Sequence, residues 1–304
     1  PSIIMWELLN ETFDGPVFRC AHAYLPKLRK LDDSRLVLLG SGRWDCDPSI
    51  GSISNPESDV WEYVWGDEAP GKPVNKASSF PGLFGGYFDK AGDAHVYTIT
   101  PQSAEADAFI RNLGKDTKPV YLSEYGIGSN PNVIQICKTF EQLGFDENLV
   151  DYALYRSMME RYLNDWGRWK MNAYAFPEDM FVGSDHLHAR QRLKGFNLIR
   201  SNPKICGYNL TGMLDHAITG EGIWTFFREW KKDIVDALSD GWASLRWCIF
   251  ISPMYGYARE PFRIEVVLAN EDILHPADYP VSLAISGPEG IAWTKNTTIH
   301  LPAT

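Results

Sequence analysis

The sequence predicts an α/β protein with a parallel sheet, followed by a smaller all-β module. Through most of the chain, short apolar runs alternate with amphipathic helical stretches, as expected of β–α units around a parallel sheet. Near Gly241 the pattern changes to apolar and polar residues in alternation, as in 262–268 and 281–285, with turn clusters between the runs. We therefore expect two domains, an α/β domain at 1–240 and a β-sandwich at 241–304.

Composition excludes several classes of protein. The 304 residues are 44% hydrophobic and 22% charged, which is ordinary for a globular protein with a large core. No apolar run approaches the ~18–20 residues that a membrane span needs, so we expect no membrane partner. The net charge is -10 and no basic stripe is present, so nucleic acid is not an expected partner either. The five cysteines are scattered without metal-binding spacing, and they leave the cellular compartment undetermined.

The α/β part is predicted to contain five strands with five helices distributed between them. The predicted strands are Ile3–Leu9, Leu36–Leu39, Ala94–Thr98, Val120–Ser123 and Gly207–Met213. The predicted helices are Cys20–Leu31, Ser103–Leu113, Asn132–Leu143, Leu149–Trp166 and His188–Ser201. The intervening segment from Asp45 to Lys90 is rich in Gly, Pro, Ser and Trp, and a loop of that length is typically functional.

Two glutamates stand at the ends of predicted strands. Glu11 and the preceding Asn10 follow the first apolar run, and Glu124 ends the run 120–123. In parallel α/β barrels the carboxyl ends of the strands face the active site, so a polar residue there indicates catalysis. Glycoside hydrolysis uses two such carboxyl groups, one protonated and one ionised, whose environments push their pKa values apart.

These motifs resemble glycoside hydrolase family 2, the β-galactosidase, β-glucuronidase and β-mannosidase family. The stretch 1–6 followed by Asn10-Glu11 resembles the fourth barrel strand, and 123–126 resembles the seventh-strand nucleophile motif. The stretch 93–97 resembles the sixth strand, and 207–211 resembles the eighth. The resemblance implies a (β/α)8 TIM barrel of which strands 4–8 are present, followed by an immunoglobulin-like sandwich.

The resemblance also implies residue roles and a mechanism. Glu11 would be the acid/base and Glu124 the nucleophile of a retaining double displacement, with carboxyl groups roughly 5–5.5 Å apart. No metal and no organic cofactor is implied. The substrate-binding residues implied by the resemblance or by proximity to the predicted strand ends are Asn10, Trp44, Asp45, Asp93, His95, Tyr97 and Tyr125.

The chain departs from the family pattern in two respects. The family barrel begins three strands before Pro1, so we expect this chain to be part of something longer. The missing N-terminal part of the barrel, or a homo-oligomer, is therefore an expected partner besides the carbohydrate substrate. β-Glucuronidases carry an Asn-x-Lys pair after the eighth strand, where this chain has 219–222 with Glu221. A glutamate there would repel a uronate, which disfavours a glucuronidase.

Several interpretations stay open at the level of sequence. The leading one is a retaining β-glycosidase that removes terminal sugars and most resembles a β-galactosidase. The alternatives are a non-catalytic carbohydrate-binding remnant and another retaining β-glycosidase, namely a mannosidase, a glucuronidase or an endo-acting enzyme. His95 is equally explained as a hydrogen-bonded core histidine, and His186 with His188 lacks the third ligand that a metal site needs.

Overall fold

A computed structural model describes residues 2–12, 15–41, 53–54, 93–113, 120–170, 173–257 and 259–303. The chain divides into two compact units, Pro1–Gly241 and Trp242–Thr304. Trp44, Asp45 and most of the long segment that we expect to be functional lie outside the described residues. For Asp93 the structure describes the backbone alone.

The first unit contains two small sheets of mainly parallel strands. Strands β1 (Met5–Glu7), β2 (Leu36–Leu38) and β3 (Ile53–Ser54) form one sheet in that order, with β1 and β2 parallel. Strands β4 (Asp93–Tyr97), β5 (Val120–Gly126) and β6 (Ile205–Leu210) form the other sheet, and both of its pairings are parallel. Within the described residues the two sheets share no strand, and they do not close into a barrel.

Six helices of the first unit are described. Two of them begin at capping side chains, since Ser103 Oγ accepts from the backbone of Ala106 at 3.2 Å and Asn132 Oδ1 accepts from the backbone of Gln135 at 3.0 Å. The helices are α1 (Pro16–Leu31), α2 (Ala104–Asn112), α3 (Val133–Gln142), α4 (Val150–Trp169), α5 (Pro177–Arg200) and α6 (Ile234–Gly241).

Among the described residues of the first unit, helix packing produces three apolar clusters. Helix α1 covers β2 through a cluster that includes Phe18 and Val37, each 0% exposed. Helices α3, α4 and the start of α5 share an aromatic cluster around Phe140. Helix α5 packs against α6 through Phe196 and Ile234. Because apolar side chains recur at helical spacing, each of these helices buries one face.

The five predicted strands and five predicted helices are all confirmed, with shifted ends. The largest shift is at α5, which begins at Pro177 rather than at the predicted His188. Pro177 occupies the first helical turn, and Asp179 accepts a hydrogen bond from the backbone of Phe176 at 3.1 Å. Such a proline and acidic residue are typical of a helix start, and our prediction overlooked them.

The described residues of the second unit form four strands in two antiparallel pairs. Strand β7 (Leu245–Ser252) pairs with β8 (Arg263–Asn270), and β9 (Asp278–Gly287) pairs with β10 (Gly290–His300). Over all described residues of both units, we find no helix with the length and hydropathy that a membrane crossing requires.

Candidate active site

The carboxyl ends of β1, β5 and β6 surround a cavity of about 480 Å³. Parallel strands place their carboxyl ends at one edge, where ligand sites commonly form. The cavity wall is mostly polar. Its polar side chains are Glu7, Asn10, Ser123, Glu124, Asn209 and Thr211.

Glu11 and Asn10 are held next to this cavity by the strand pairing of β1 with β2. The backbone N–H of Glu11 donates to the carbonyl oxygen of Ser41 at 2.7 Å, and the Ser41 hydroxyl donates to Asn10 Oδ1 at 2.8 Å. Ser41 is 0% exposed, so both contacts are shielded from water. Glu11 adopts φ +48°, a left-handed conformation that costs a residue with a side chain about 1 kcal/mol. The surrounding contacts therefore hold Glu11 in a turn that it would not prefer by itself.

Glu124 is positioned by the neighbouring strand β4. The parallel register sets His95 opposite Glu124, and the two-residue period of a strand places Tyr97 on the same face as His95. The Tyr97 hydroxyl donates a hydrogen bond to the Glu124 carboxylate. Burial, followed by this hydrogen bond, raises the pKa of Tyr97 far above its ordinary value. The phenol consequently stays protonated and remains a donor to Glu124 at any physiological pH.

His95 lies between the two glutamates. Its Nδ1 atom is 2.9 Å from Glu11 Oε1 and 3.2 Å from Glu124 Oε2, and its side chain is 1% exposed. One carboxylate oxygen of each glutamate and one His95 nitrogen all lie within 4.8 Å of one another. The two carboxylates therefore adjoin the same buried imidazole.

The same three side chains also have the composition of a metal-binding set. One imidazole nitrogen and two carboxylate oxygens are ligands that zinc and other divalent ions accept. The sequence shows no such cluster, because Glu11, His95 and Glu124 are on three different segments. Strand pairing sets His95 beside Glu124, and the approach of the β1 sheet to the β4 sheet adds Glu11.

Tyr125 does not lie where we expected a substrate-binding residue. It is 1% exposed on the face of β5 opposite to Glu124, and its hydroxyl accepts from Gln102 Nε2 at 3.2 Å. A Cβ atom on Gly195 of α5 would overlap that hydroxyl, so the tyrosine ring packs beneath the helix. Successive residues of a strand point to opposite faces, which takes Tyr125 away from the cavity that Glu124 lines.

Sequence reasoning missed one buried cation that organises the site. Arg192 in α5 is 1% exposed and donates to the carbonyl oxygens of Tyr125 at 3.1 Å and Thr211 at 2.9 Å. Burial lowers the pKa of Arg192 to about 10, so it stays charged at neutral pH. Arg192 therefore ties the end of β5, one residue after Glu124, to the end of β6. An arginine on the buried face of a helix is the signal that would have revealed it, because buried charges require partners.

The chain is similar in structure to two larger solved enzymes, a β-D-mannosidase from Dictyoglomus thermophilum and an FMN-binding β-glucuronidase from Facaelibacterium prausnitzii L2-6. The mannosidase match has a TM-score of 0.49 at 12% identity and covers 100% of this chain and 33% of that one. The glucuronidase match has a TM-score of 0.41 at 11% identity and covers 99% of this chain and 41% of that one.

Both TM-scores are below 0.5, so neither likeness assigns a function to the chain. This chain spans about a third of the mannosidase and two fifths of the glucuronidase. No protein-family model matches the sequence, and a search of curated proteins found no match.

Proposed function

We propose that this chain carries the catalytic carboxylates of a retaining β-glycosidase. The observation that supports the proposal most directly is the pair Glu11 and Glu124, which meet on either side of His95 within 4.8 Å. Glu124 lines the cavity near the end of β5, and Glu11 directly follows Asn10, which lines the same cavity beyond β1. The proposal includes the family 2 fold, in which these strands would belong to a (β/α)8 barrel and Trp242–Thr304 to an immunoglobulin-like module.

In the first proposed step, a Glu124 carboxylate oxygen attacks the anomeric carbon of the sugar. Glu11 simultaneously gives its proton to the leaving glycosidic oxygen, whose bond to that carbon breaks. The product is a covalent glycosyl ester on Glu124 together with the released alcohol. Tyr97 orients the attacking carboxylate through its hydroxyl, which directs one Glu124 oxygen and leaves the other for the sugar.

In the second proposed step, Glu11 acts as a base. Its carboxylate takes a proton from water while the water oxygen attacks the anomeric carbon, and the ester bond to Glu124 breaks. Asn10, which Ser41 holds in place, would donate its amide N–H to the 2-hydroxyl of the sugar. Such a contact lowers the barrier if it strengthens in the transition state. We expect a neutral sugar, with galactose as the first candidate from the sequence resemblance.

The test is covalent trapping with a panel of 2-deoxy-2-fluoro β-glycosides, read by intact mass and peptide mapping. The expected result is a single sugar adduct on Glu124 of the full-length protein. Glu124→Gln should abolish the adduct, while Glu160→Gln on the exposed side of α4 should retain it. If the protein binds sugars but forms no adduct and hydrolyses no glycoside, it is a carbohydrate-binding protein and the proposal is wrong.

A further inference from the structure

Strand β5 carries an extra residue beside its neighbour β6. The stretch 122–125 of β5 pairs with the shorter stretch 208–210 of β6, so the register shifts between them. This β-bulge leaves Ser123 and Glu124 together opposite Asn209. Consecutive residues of a regular strand point to opposite faces, whereas these two residues both line the cavity. The bulge therefore sets Asn209 across from the proposed nucleophile.

The side chain of Asn209 belongs to the cavity face of β6. Its two neighbours, Tyr208 and Leu210, pack against the apolar cluster between α5 and α6, and the rings of Tyr208 and Phe196 are 6.0 Å apart. Because side chains alternate along a strand, Asn209 points away from that cluster. Asn209 is accordingly exposed, and it lines the cavity.

The backbone around Asn209 is held at a fixed position relative to Glu124. Just beyond the bulge, the backbone N–H of Thr211 donates to the carbonyl oxygen of Tyr125 at 3.0 Å. The buried Arg192 also donates to the carbonyl oxygens of Tyr125 and Thr211. A binding side chain is most effective on such a fixed element, since little freedom is lost when the ligand arrives.

The carboxamide of Asn209 is available to a ligand. Among the described residues, no group forms a hydrogen bond with this side chain. A carboxamide offers two N–H donors and a carbonyl acceptor, and a sugar hydroxyl can both accept and donate. Asn209 therefore has the chemistry to bind a hydroxyl group of a sugar in the cavity.

Asn209 and Asn10 approach Glu124 from different sides. Strand β5 lies between β4 and β6 in its sheet. On the β4 side, His95 pairs with Glu124 in the register and lies 2.9 Å from Glu11, the residue after Asn10. On the β6 side, the residue opposite Glu124 is Asn209. The two amides are thus placed to reach different hydroxyl groups of one sugar.

We propose that Asn209 is a substrate-binding residue, which hydrogen-bonds the 3-, 4- or 6-hydroxyl of the sugar that Glu124 attacks. This inference rests on the proposed glycosidase function, in which Asn10 takes the 2-hydroxyl. A hydrogen bond between neutral groups changes kcat/KM by about three- to tenfold, and its loss affects one hydroxyl position of the substrate.

The test combines an Asn209 variant with substrates that each lack one hydroxyl group. The probes are 4-nitrophenyl β-D-galactoside and its 2-, 3-, 4- and 6-deoxy analogues, or the same series of the sugar that the trapping panel labels. Asn209→Leu keeps the size of the side chain and removes its hydrogen bonds. We expect it to lower kcat/KM for the parent glycoside by about three- to tenfold. We also expect the loss caused by deoxygenation to disappear at one of the positions 3, 4 and 6, and to persist at position 2.

The control is Asn164→Leu, an exposed asparagine of α4, which should retain every deoxygenation loss of the wild type. If Asn209→Leu does not fold, Asn209→Ala is expected to give the same pattern. A general disturbance of the cavity would instead reduce the losses at all positions together, and that result overturns the inference.

Two further outcomes distinguish the inference from the function on which it rests. If Asn209→Leu hydrolyses the parent glycoside and keeps all the wild-type losses, or changes only the loss at position 2, Asn209 does not have the proposed role and the glycosidase function stands. If the wild-type protein hydrolyses no glycoside and forms no adduct on Glu124, the proposed function fails and the inference fails with it.

Discussion

His95 and Glu11 are 84 positions apart in the chain, yet His95 Nδ1 lies 2.9 Å from Glu11 Oε1. The same nitrogen is 3.2 Å from Glu124 Oε2, so the imidazole is shared by both proposed catalytic groups. A single ring N–H can donate to one carboxylate at a time. The arrangement therefore couples the two glutamates through one buried side chain, and it also forms the metal-like set described above.

The proposed mechanism uses Glu11 and Glu124 without a metal ion. We expect dialysis against EDTA to leave kcat/KM for a neutral glycoside unchanged, because proton transfer and nucleophilic attack need only the two carboxyl groups. The measurement is the hydrolysis rate before and after dialysis. A loss that an added divalent cation restores would instead indicate that Glu11, His95 and Glu124 hold a metal.

Removal of the Tyr97 hydroxyl should slow hydrolysis while the protein stays folded. A hydrogen bond to a charged group contributes about 1.5–3 kcal/mol, so we expect Tyr97→Phe to lower kcat/KM by roughly 10- to 100-fold. Steady-state kinetics and the rate of fluoro-sugar trapping both report this loss. Tyr24→Phe on α1, whose ring is 54% exposed, is the matched control. Equal rates in Tyr97→Phe and wild type would remove Tyr97 from the mechanism.

Glu11→Gln should slow the reaction of substrates with a poor leaving group more than that of substrates with a good one. General acid catalysis contributes about 10²–10⁴-fold, and it matters most when the leaving alcohol is poor. We therefore expect a large loss of kcat/KM with an alkyl glycoside and a much smaller loss in the trapping rate with a 2,4-dinitrophenyl 2-fluoro-glycoside. Glu7→Gln, in strand β1, is the comparison variant. It tests whether the loss of another carboxyl group near Glu11 gives the same difference between the two substrates. If Glu11→Gln slows both reactions equally, Glu11 is not the acid.

The buried pair Lys231 and Asp215 should dominate the stability of the segment after β6. Lys231 Nζ lies 2.7 Å from Asp215 Oδ1, and both side chains are 2% exposed. Burial raises the pKa of Asp215 and lowers that of Lys231, because each charge is removed from water. Asp215→Asn leaves a buried lysine without this partner, which costs about 3–5 kcal/mol in the free energy of unfolding.

Urea denaturation measures that loss for the Asp215 and Lys231 variants. The double variant Asp215→Leu with Lys231→Met should be less destabilised than Asp215→Asn, because it buries no unpaired charge. A double variant as unstable as the single one would mean that the bonds of Lys231 to Gly220 and Ser129, rather than the ion pair, hold the segment.

His188 should make the protein less stable in mild acid. Burial first, and the charge of Arg192 second, lower the pKa of His188 from 6.5 to about 2. The folded state keeps the ring neutral, and its Nε2 accepts from Arg192 at 3.0 Å, while the unfolded chain takes up a proton below pH 6.5. The contribution of His188 to the free energy of unfolding is therefore complete above pH 6.5. It is lost by about 1.4 kcal/mol per pH unit as the pH falls from 6.5 towards 2.

The check is the free energy of unfolding of His188→Gln between pH 7 and 5. Glutamine does not titrate, so the variant should show a slope shallower than wild type by about 1.4 kcal/mol per pH unit below pH 6.5. His22→Gln on α1 serves as the control. Parallel slopes in His188→Gln and wild type would contradict the assignment.

Local pattern was sufficient to predict most elements of the first unit, although it missed the short strand β3 and helix α6. Apolar periodicity located β5 and α4 because each element buries one face of its own short stretch of chain. The same patterns placed Glu11 and Glu124 at strand ends. They could not place Tyr125, since a period of two defines two faces of a strand without saying which one meets the cavity.

By itself, the sequence determined most of the segments that become strands and helices, and that two glutamates lie close to the carboxyl ends of two of those strands. Only the tertiary structure decided that His95 would stand between them and that Arg192 would join the end of β5 to the end of β6. The physical reason is that a strand's pattern depends on neighbours a few residues away, whereas these contacts depend on strand register and on the approach of distant segments. Arg192 acts through bonds to backbone carbonyls, which every residue type possesses and no sequence pattern reveals.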